Sequence, residues 1–157
     1  MRGKSKYKKR ELVPDEKFKS QLVTEFINKV LRYGKKETAS KIVYNSLEIA
    51  SQKIKKPPME VFEAAMRNAS PEVEVRSKRI GGATYQVPVE VASYRKIDLV
   101  LRWLINSCRI RHGKKMENLL ADEIISMYNN EGNIIKKRND VHRMAEANKA
   151  FAHFARF

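Results

Sequence analysis

Three histidines, one cysteine and a scatter of serines and carboxylates are the side chains from which a catalytic centre would be built, and their spacing builds none. His112, His142 and His153 form no His-Glu-x-x-His pair, the arrangement that sets two imidazoles on one helical face around zinc. Gly34-Lys35-Lys36 follows no phosphate-cradling glycine loop and lacks the Ser or Thr that would hold magnesium. No serine stands in a Gly-x-Ser-x-Gly elbow. The adjacent acids Asp122 and Glu123 read as the solvated face of a helix rather than an acid/base pair. Cys108, alone, supplies neither a disulfide nor a cysteine zinc site, and reads as a small buried hydrophobe. No enzyme, no metal and no cofactor is predicted.

The chemistry that is abundant and clustered is cationic. Lys and Arg total 33 against 18 Asp and Glu, a formal charge of +15 on 157 residues. Such a surface seeks a polyanion, and charge alone does not separate nucleic acid from an anionic membrane or an acidic protein. The cations gather in five places: Arg2, Lys4, Lys6, Lys8, Lys9 and Arg10; Lys35 and Lys36; Arg76, Lys78 and Arg79; Arg109, Arg111, Lys114 and Lys115; and Lys136, Lys137 and Arg138 with Arg143. A single run of charge is ordinarily a solvated helix face. Five of them, with the acids mostly elsewhere, match what a phosphate backbone demands. Arg brings a planar fork suited to bidentate phosphate contact and Lys a mobile point charge, and the last three clusters hold both.

These clusters need a body to hold them. A chain of this length buries about 68–70% of the surface its unfolded form exposes, enough for one core without a staple. Residues 1–10 have almost no large apolar side chain and read as an arm, with 1–14 the arm and 15–157 a single helical domain. Phe18, Leu22, Phe26 and Val30 keep the helical period, and Gly34 suits a left-handed cap, so the first helix should end near Tyr33. A second runs from about Lys36 to Lys53, stopped by Pro57-Pro58, and a third from Pro58 must finish before Pro71. The period then alternates, and two β-rich runs around Gly81-Gly82 predict a hairpin at about 72–91, with Pro88 at a sheet edge. Arg76 and Lys78 fall on one face and Val73 and Val75 on the other. One face is expected to dock while the other meets phosphate, with Tyr85 read as covering the hairpin's own valines rather than stacking on a base. A fourth helix, Ser93 to Arg111, carries Trp103 as packing; a fifth starts at Met116; Asn129 to Gly132 break it before a sixth from about Asn133 to Phe154. The fold class is mainly α: six helices with one protruding β-hairpin between the third and fourth, and a basic N-terminal arm.

The hairpin run Glu74 to Val91, EVRSKRIGGATYQVPVEV, resembles the signature hairpin of the small-subunit ribosomal protein seven family, in its bacterial and organellar branch. Ser20 through Ser46 and the run HRMAEANKAFAHF from His142 to Phe154 are similar to that family too. The arm Met1 to Tyr7 is spelled differently from typical members while keeping their charge, and the chain stops at Phe157 without the longer tail some carry. The resemblance implies a six-helix fold with the same hairpin, and a structural role. Members bind the major 3′ domain of small-subunit ribosomal RNA, nucleate assembly of the subunit head, and lie where transfer RNA leaves. It implies ribosomal RNA contacts at the five clusters, with Arg95 and Arg102 on the fourth helix added, and puts Gly81, Gly82 and Arg143 toward exit-site transfer RNA. Neighbouring ribosomal proteins of head and platform are the implied protein partners. The aromatic end, Phe151 to Phe157, is expected to dock on apolar surface rather than read bases.

No stretch approaches ~18 consecutive apolar residues and no apolar run follows the basic start, so neither a membrane span nor a signal peptide is expected. A small-molecule substrate is not expected either. A cytoplasmic ribosome is the predicted location, with an organellar one the alternative. The rivals are a helical DNA-binding regulator, for which the hairpin has no role, and an RNA-modifying enzyme, which would need a His gathered with a carboxylate.

Overall fold

The computed structural model describes residues 12–156, so the arm cations Arg2, Lys4, Lys6, Lys8, Lys9 and Arg10 lie outside the described residues. Six α-helices are observed: α1 Gln21–Val30, α2 Lys36–Ile54, α3 Pro58–Ala69, α4 Ser93–Ile110, α5 Met116–Tyr128 and α6 Gly132–Ala147. A hairpin of β1 Val73–Ile80 and β2 Ala83–Glu90 stands between α3 and α4, and a 3-10 helix, Lys149–Arg156, follows α6. The described chain is thus mainly helical with seven helices rather than six.

Local sequence explains most boundaries. Pro58 occupies the first turn of α3, where its missing N–H costs nothing. Lys55 takes a left-handed conformation that closes α2, and its backbone N–H reaches the Ser51 carbonyl. The hairpin runs in register from Val73 opposite Glu90 to Ile80 opposite Ala83. That leaves Gly81 and Gly82 as a two-residue turn with φ of 55° and 89°. Two successive positive φ values are what a type I′ turn requires, and glycine meets them without a Cβ clash.

Helix α5 lies at the centre, packed against α2, α3, α4 and α6. Its Leu120, Ile124 and Met127 are fully buried. Phe26 of α1 and Phe62 of α3 stack with ring centroids 5.3 Å apart, joining the first and third helices through the core. Truncating either to Ala would cost about 3–5 kcal/mol by transfer and cavity terms together. Trp103 is 8% exposed and packs in this core, as its place on the α4 stripe predicts.

Three sequence expectations are corrected. Helix α1 begins at Gln21 and ends at Val30, not near Tyr33. Leu31 already leaves the helix, and Tyr33 and Gly34 form a left-handed turn with φ of 52° and 73°. Helix α6 ends at Ala147, not Phe154. The Asn148 side-chain amide donates to the Met144 carbonyl at 2.7 Å, and the chain tightens into the 3-10 form. With three residues per turn, Phe151 and Phe154 share a face. The third correction is the hairpin. Tyr85 pairs opposite Lys78 and so shares its face. Its ring meets Phe151 and Phe154, with centroids 5.3 and 5.1 Å away, on the face that the register also gives to Val87. Lys78 donates to the Phe154 carbonyl at 3.0 Å. The face expected to be free for phosphate is therefore partly covered by the C-terminal segment, which docks on apolar surface as expected.

Candidate nucleic-acid interface

The described cations fall into three groups according to what already holds them. Lys35, Lys36, Arg79, Lys115 and Lys136 are exposed and pair with no described residue. Lys35 and Lys36 open α2, Arg79 sits beside the hairpin turn, Lys115 precedes α5, and Lys136 lies on the outer side of α6. Lys137 is also exposed, its ammonium 5.7 Å from the Trp103 ring centroid. Helix starts, a hairpin tip and an interhelical turn are where the sequence puts them, and the tertiary structure leaves them in solvent.

A second group makes ion pairs in reach of solvent. Arg143, with a side chain 81% exposed, is 3.7 Å from Asp140, and Lys114 is 3.3 Å from Asp122. Arg102 bonds Asp98 at 2.9 Å, and Arg95 reaches both Asp98 and Glu74. Asp98 also takes Lys29 of α1; that hydrogen bond first, with Lys29, Arg102 and Arg95 adding charge, holds its carboxyl below the usual range despite some burial. Exposed pairs of this kind contribute about 0–1 kcal/mol, so most of these side chains stay available to a stronger anion.

The third group is held by buried or backbone acceptors. Arg76, its side chain still 60% exposed, donates to Glu74 at 2.7 Å, and Glu74 is buried at the hairpin base. Arg138 donates to the Asn68 carbonyl, and Arg109 to the Val30 carbonyl at 3.4 Å. Burial, and then the charge of Arg32, push the Arg109 guanidinium down. Arg111 pairs with Glu123. This corrects the reading of Asp122 and Glu123 as a solvated face: Glu123 is 2% exposed and Asp122 takes Lys53 and Lys114 at 2.9 and 3.3 Å. Both acids hold cations, a tertiary arrangement their spacing does not show.

Arg109 has a further consequence. Its bond to Val30 brings the end of α4 onto the end of α1, where Arg32, Lys35 and Arg109 rim a groove of about 350 Å³ floored by Val30, Ile42 and Met116. No carboxylate lines it. Tyr33, 92% exposed, stands at its edge. Arg32 and Tyr33 are absent from the sequence-predicted site, which holds only Lys35 and Lys36 of the unbroken run Arg32-Tyr33-Gly34-Lys35-Lys36 that signals them.

Among the described residues no three His, Cys, Asp or Glu gather as for a metal ion, and no helix is long and apolar enough to cross a membrane. His142 accepts the Glu72 backbone N–H at 3.0 Å, tying α6 to the start of the hairpin, and His153 contacts the Ala150 carbonyl within its own turn. Cys108 is buried, which pushes its thiol up to about 12, with Glu123 adding to the shift. It is an inert side chain at neutral pH.

A rigid helical body with free cations at separate ends and a basic hairpin between α3 and α4 defines a structural, polyanion-binding scaffold. The sequence comparisons refine that class. Residues 2–149 match the family model described as ribosomal protein S7p/S5e, and the chain belongs to that family, whose members are structural rather than enzymatic. It is 57% identical over 148 residues to the small ribosomal subunit protein uS7 of Chloroflexus aurantiacus, covering 94% of each chain. It is 53% identical over 154 residues to the uS7 protein of Thermomicrobium roseum, covering 98% of this chain and 99% of that one. With the uS7 protein of Thermotoga petrophila the identity is 52% over 145 residues, 92% and 94% of the two chains.

Proposed function

We propose that this structural component of the small ribosomal subunit binds the 3′ major domain of the small-subunit ribosomal RNA, and that this contact nucleates the subunit head. The observation that carries the reading is the set of free cations at separated points of one packed body: Lys35 and Lys36, Arg79, Lys115 and Lys136. Points held apart by a core select one arrangement of RNA helices, so shape is read more than sequence. The arm of residues 1–14 supplies six further cations to the same RNA, and 15–157 acts as one domain. The hairpin turn at Gly81-Gly82, with Arg143, faces exit-site transfer RNA, and neighbouring head and platform proteins complete the set of partners, in the ribosomes of the cytoplasm.

The test is a titration of the full-length protein with a transcript of that RNA domain across a salt series. With about ten phosphates neutralised, log affinity should fall against log salt with a slope of about −7 to −9. Duplex DNA of similar length should compete poorly. A slope near zero, or equal competition by duplex DNA, would overturn the reading.

A further inference from the structure

Arg111 belongs by sequence to the RNA-facing cations, yet its side chain, although 40% exposed, is already held by a buried carboxylate. It caps α4, and its guanidinium donates to Oε1 of Glu123 on α5. Glu123 is 2% exposed, and its second oxygen, Oε2, has no hydrogen-bond partner. The neighbouring acid, Asp122, takes Lys114 from the same turn and Lys53 from the end of α2. Two successive acids of α5 therefore grip the turn 111–115 at Arg111 and at Lys114, and Lys115 is left free.

The two grips differ in strength. If Lys114 swings out to a phosphate, Asp122 keeps Lys53 and a third of its side chain remains in solvent. If Arg111 leaves, Glu123 becomes a buried carboxylate with neither oxygen satisfied, beside the Cys108 thiol whose ionisation it already opposes. Stranding such a charge costs far more than one exposed phosphate contact returns. The guanidinium is thus kept at Glu123 unless a ligand also neutralises that carboxylate.

We propose that Glu123 withholds Arg111 from RNA. It keeps the guanidinium on the body, so that Lys114 and Lys115 are the cations that the turn between α4 and α5 offers to phosphate, while Arg111 makes no phosphate contact itself. The inference rests on the RNA-binding reading above.

The experiment uses the full-length protein, the same transcript, and two readouts, the salt slope and the melting temperature. Lys115→Ala should flatten the slope by about 0.7–0.9, one phosphate's share, and leave melting unchanged. Arg111→Ala should leave the slope unchanged and lower the melting temperature by about 10 °C. Glu123→Gln should release Arg111 and steepen the slope by up to the same one-charge share. The double variant Arg111→Met with Glu123→Leu, which fills the site with apolar side chains, should recover the melting temperature at the wild-type slope, and it keeps the test readable if a single variant fails to fold. A steep wild-type slope flattened as much by Arg111→Ala as by Lys115→Ala, or by the double variant, overturns this inference alone. A wild-type slope near zero removes the RNA reading and this inference with it.

Discussion

Asp15 shows how much a single side chain contributes before any partner is present. It is 8% exposed, and its carboxylate accepts the backbone N–H groups of Lys17 and Phe18 at 3.0 Å and the Tyr44 hydroxyl at 2.6 Å. Burial pushes its carboxyl up, but the Tyr44 hydroxyl and the backbone donors outweigh that and hold it below its ordinary range. Burial, then the bond to Asp15, pushes the Tyr44 phenol up to about 12. The two signs are opposite. A depressed carboxyl adds stability above its unfolded value that is lost as pH falls through the folded one, while a raised phenol adds stability at neutral pH that is lost as pH rises toward 12. Tyr44→Phe should cost about 1.5–3 kcal/mol at neutral pH, the range for a hydrogen bond to a charged group. In chemical denaturation its deficit should shrink below about pH 4 and again above about pH 10; a deficit independent of pH would count against the pair. Tyr33 carries a different cost. A left-handed φ of 52° on a bulky residue that is 92% exposed buys no packing. Tyr33→Gly should therefore raise stability by up to about 1 kcal/mol, read as a higher melting temperature.

At the scale of elements, the hairpin and the C-terminal 3-10 helix depend on each other. A two-stranded hairpin is marginal in water without packing, and here Val87 is 1% exposed at its base while Tyr85 meets Phe151 and Phe154 further out. Replacing Phe151 and Phe154 together by Ala should speed amide exchange in the strands around Ser77 to Gln86 while leaving α5 protected; unchanged exchange would mean the hairpin stands without the segment. The same geometry reassigns the hairpin cations. Arg76 is bound to Glu74 and Lys78 to the Phe154 carbonyl, so changing Arg76, Lys78 and Arg79 together would disturb the fold as well as the ligand. Arg79→Ala alone, at an exposed position with no described partner, should flatten the salt slope by about 0.7–0.9 with no change in melting temperature.

At the scale of the whole molecule, a formal charge of +15 coexists with a continuous core, and about half of the described acids are engaged by the protein's own cations. Asp98, Asp122, Glu74 and Glu123 each hold one or more cations, while among the described cations without an ion pair Lys35, Lys36 and Lys115 lie at helix starts, Arg79 beside the hairpin turn, and Lys41 and Lys136 within helices. The helical period, the paired prolines and Gly81-Gly82 were enough to order the helices and place the hairpin, since each of those signals is local: one face buried every 3.6 residues, one missing N–H, one positive φ. The basic clusters were legible for the same reason, charge being a property of composition along the chain. Which lysines and arginines are free was not legible, because an ion pair such as Arg111 with Glu123, or Lys29 with Asp98, joins residues that only packing brings together. The switch from α6 to a 3-10 helix also escaped, because it is decided by Phe151 and Phe154 finding Tyr85 across the molecule. Sequence by itself determined the elements, the charge and the family of this protein; tertiary structure decided which charges face solvent, since burial and pairing depend on distances that no spacing along the chain contains.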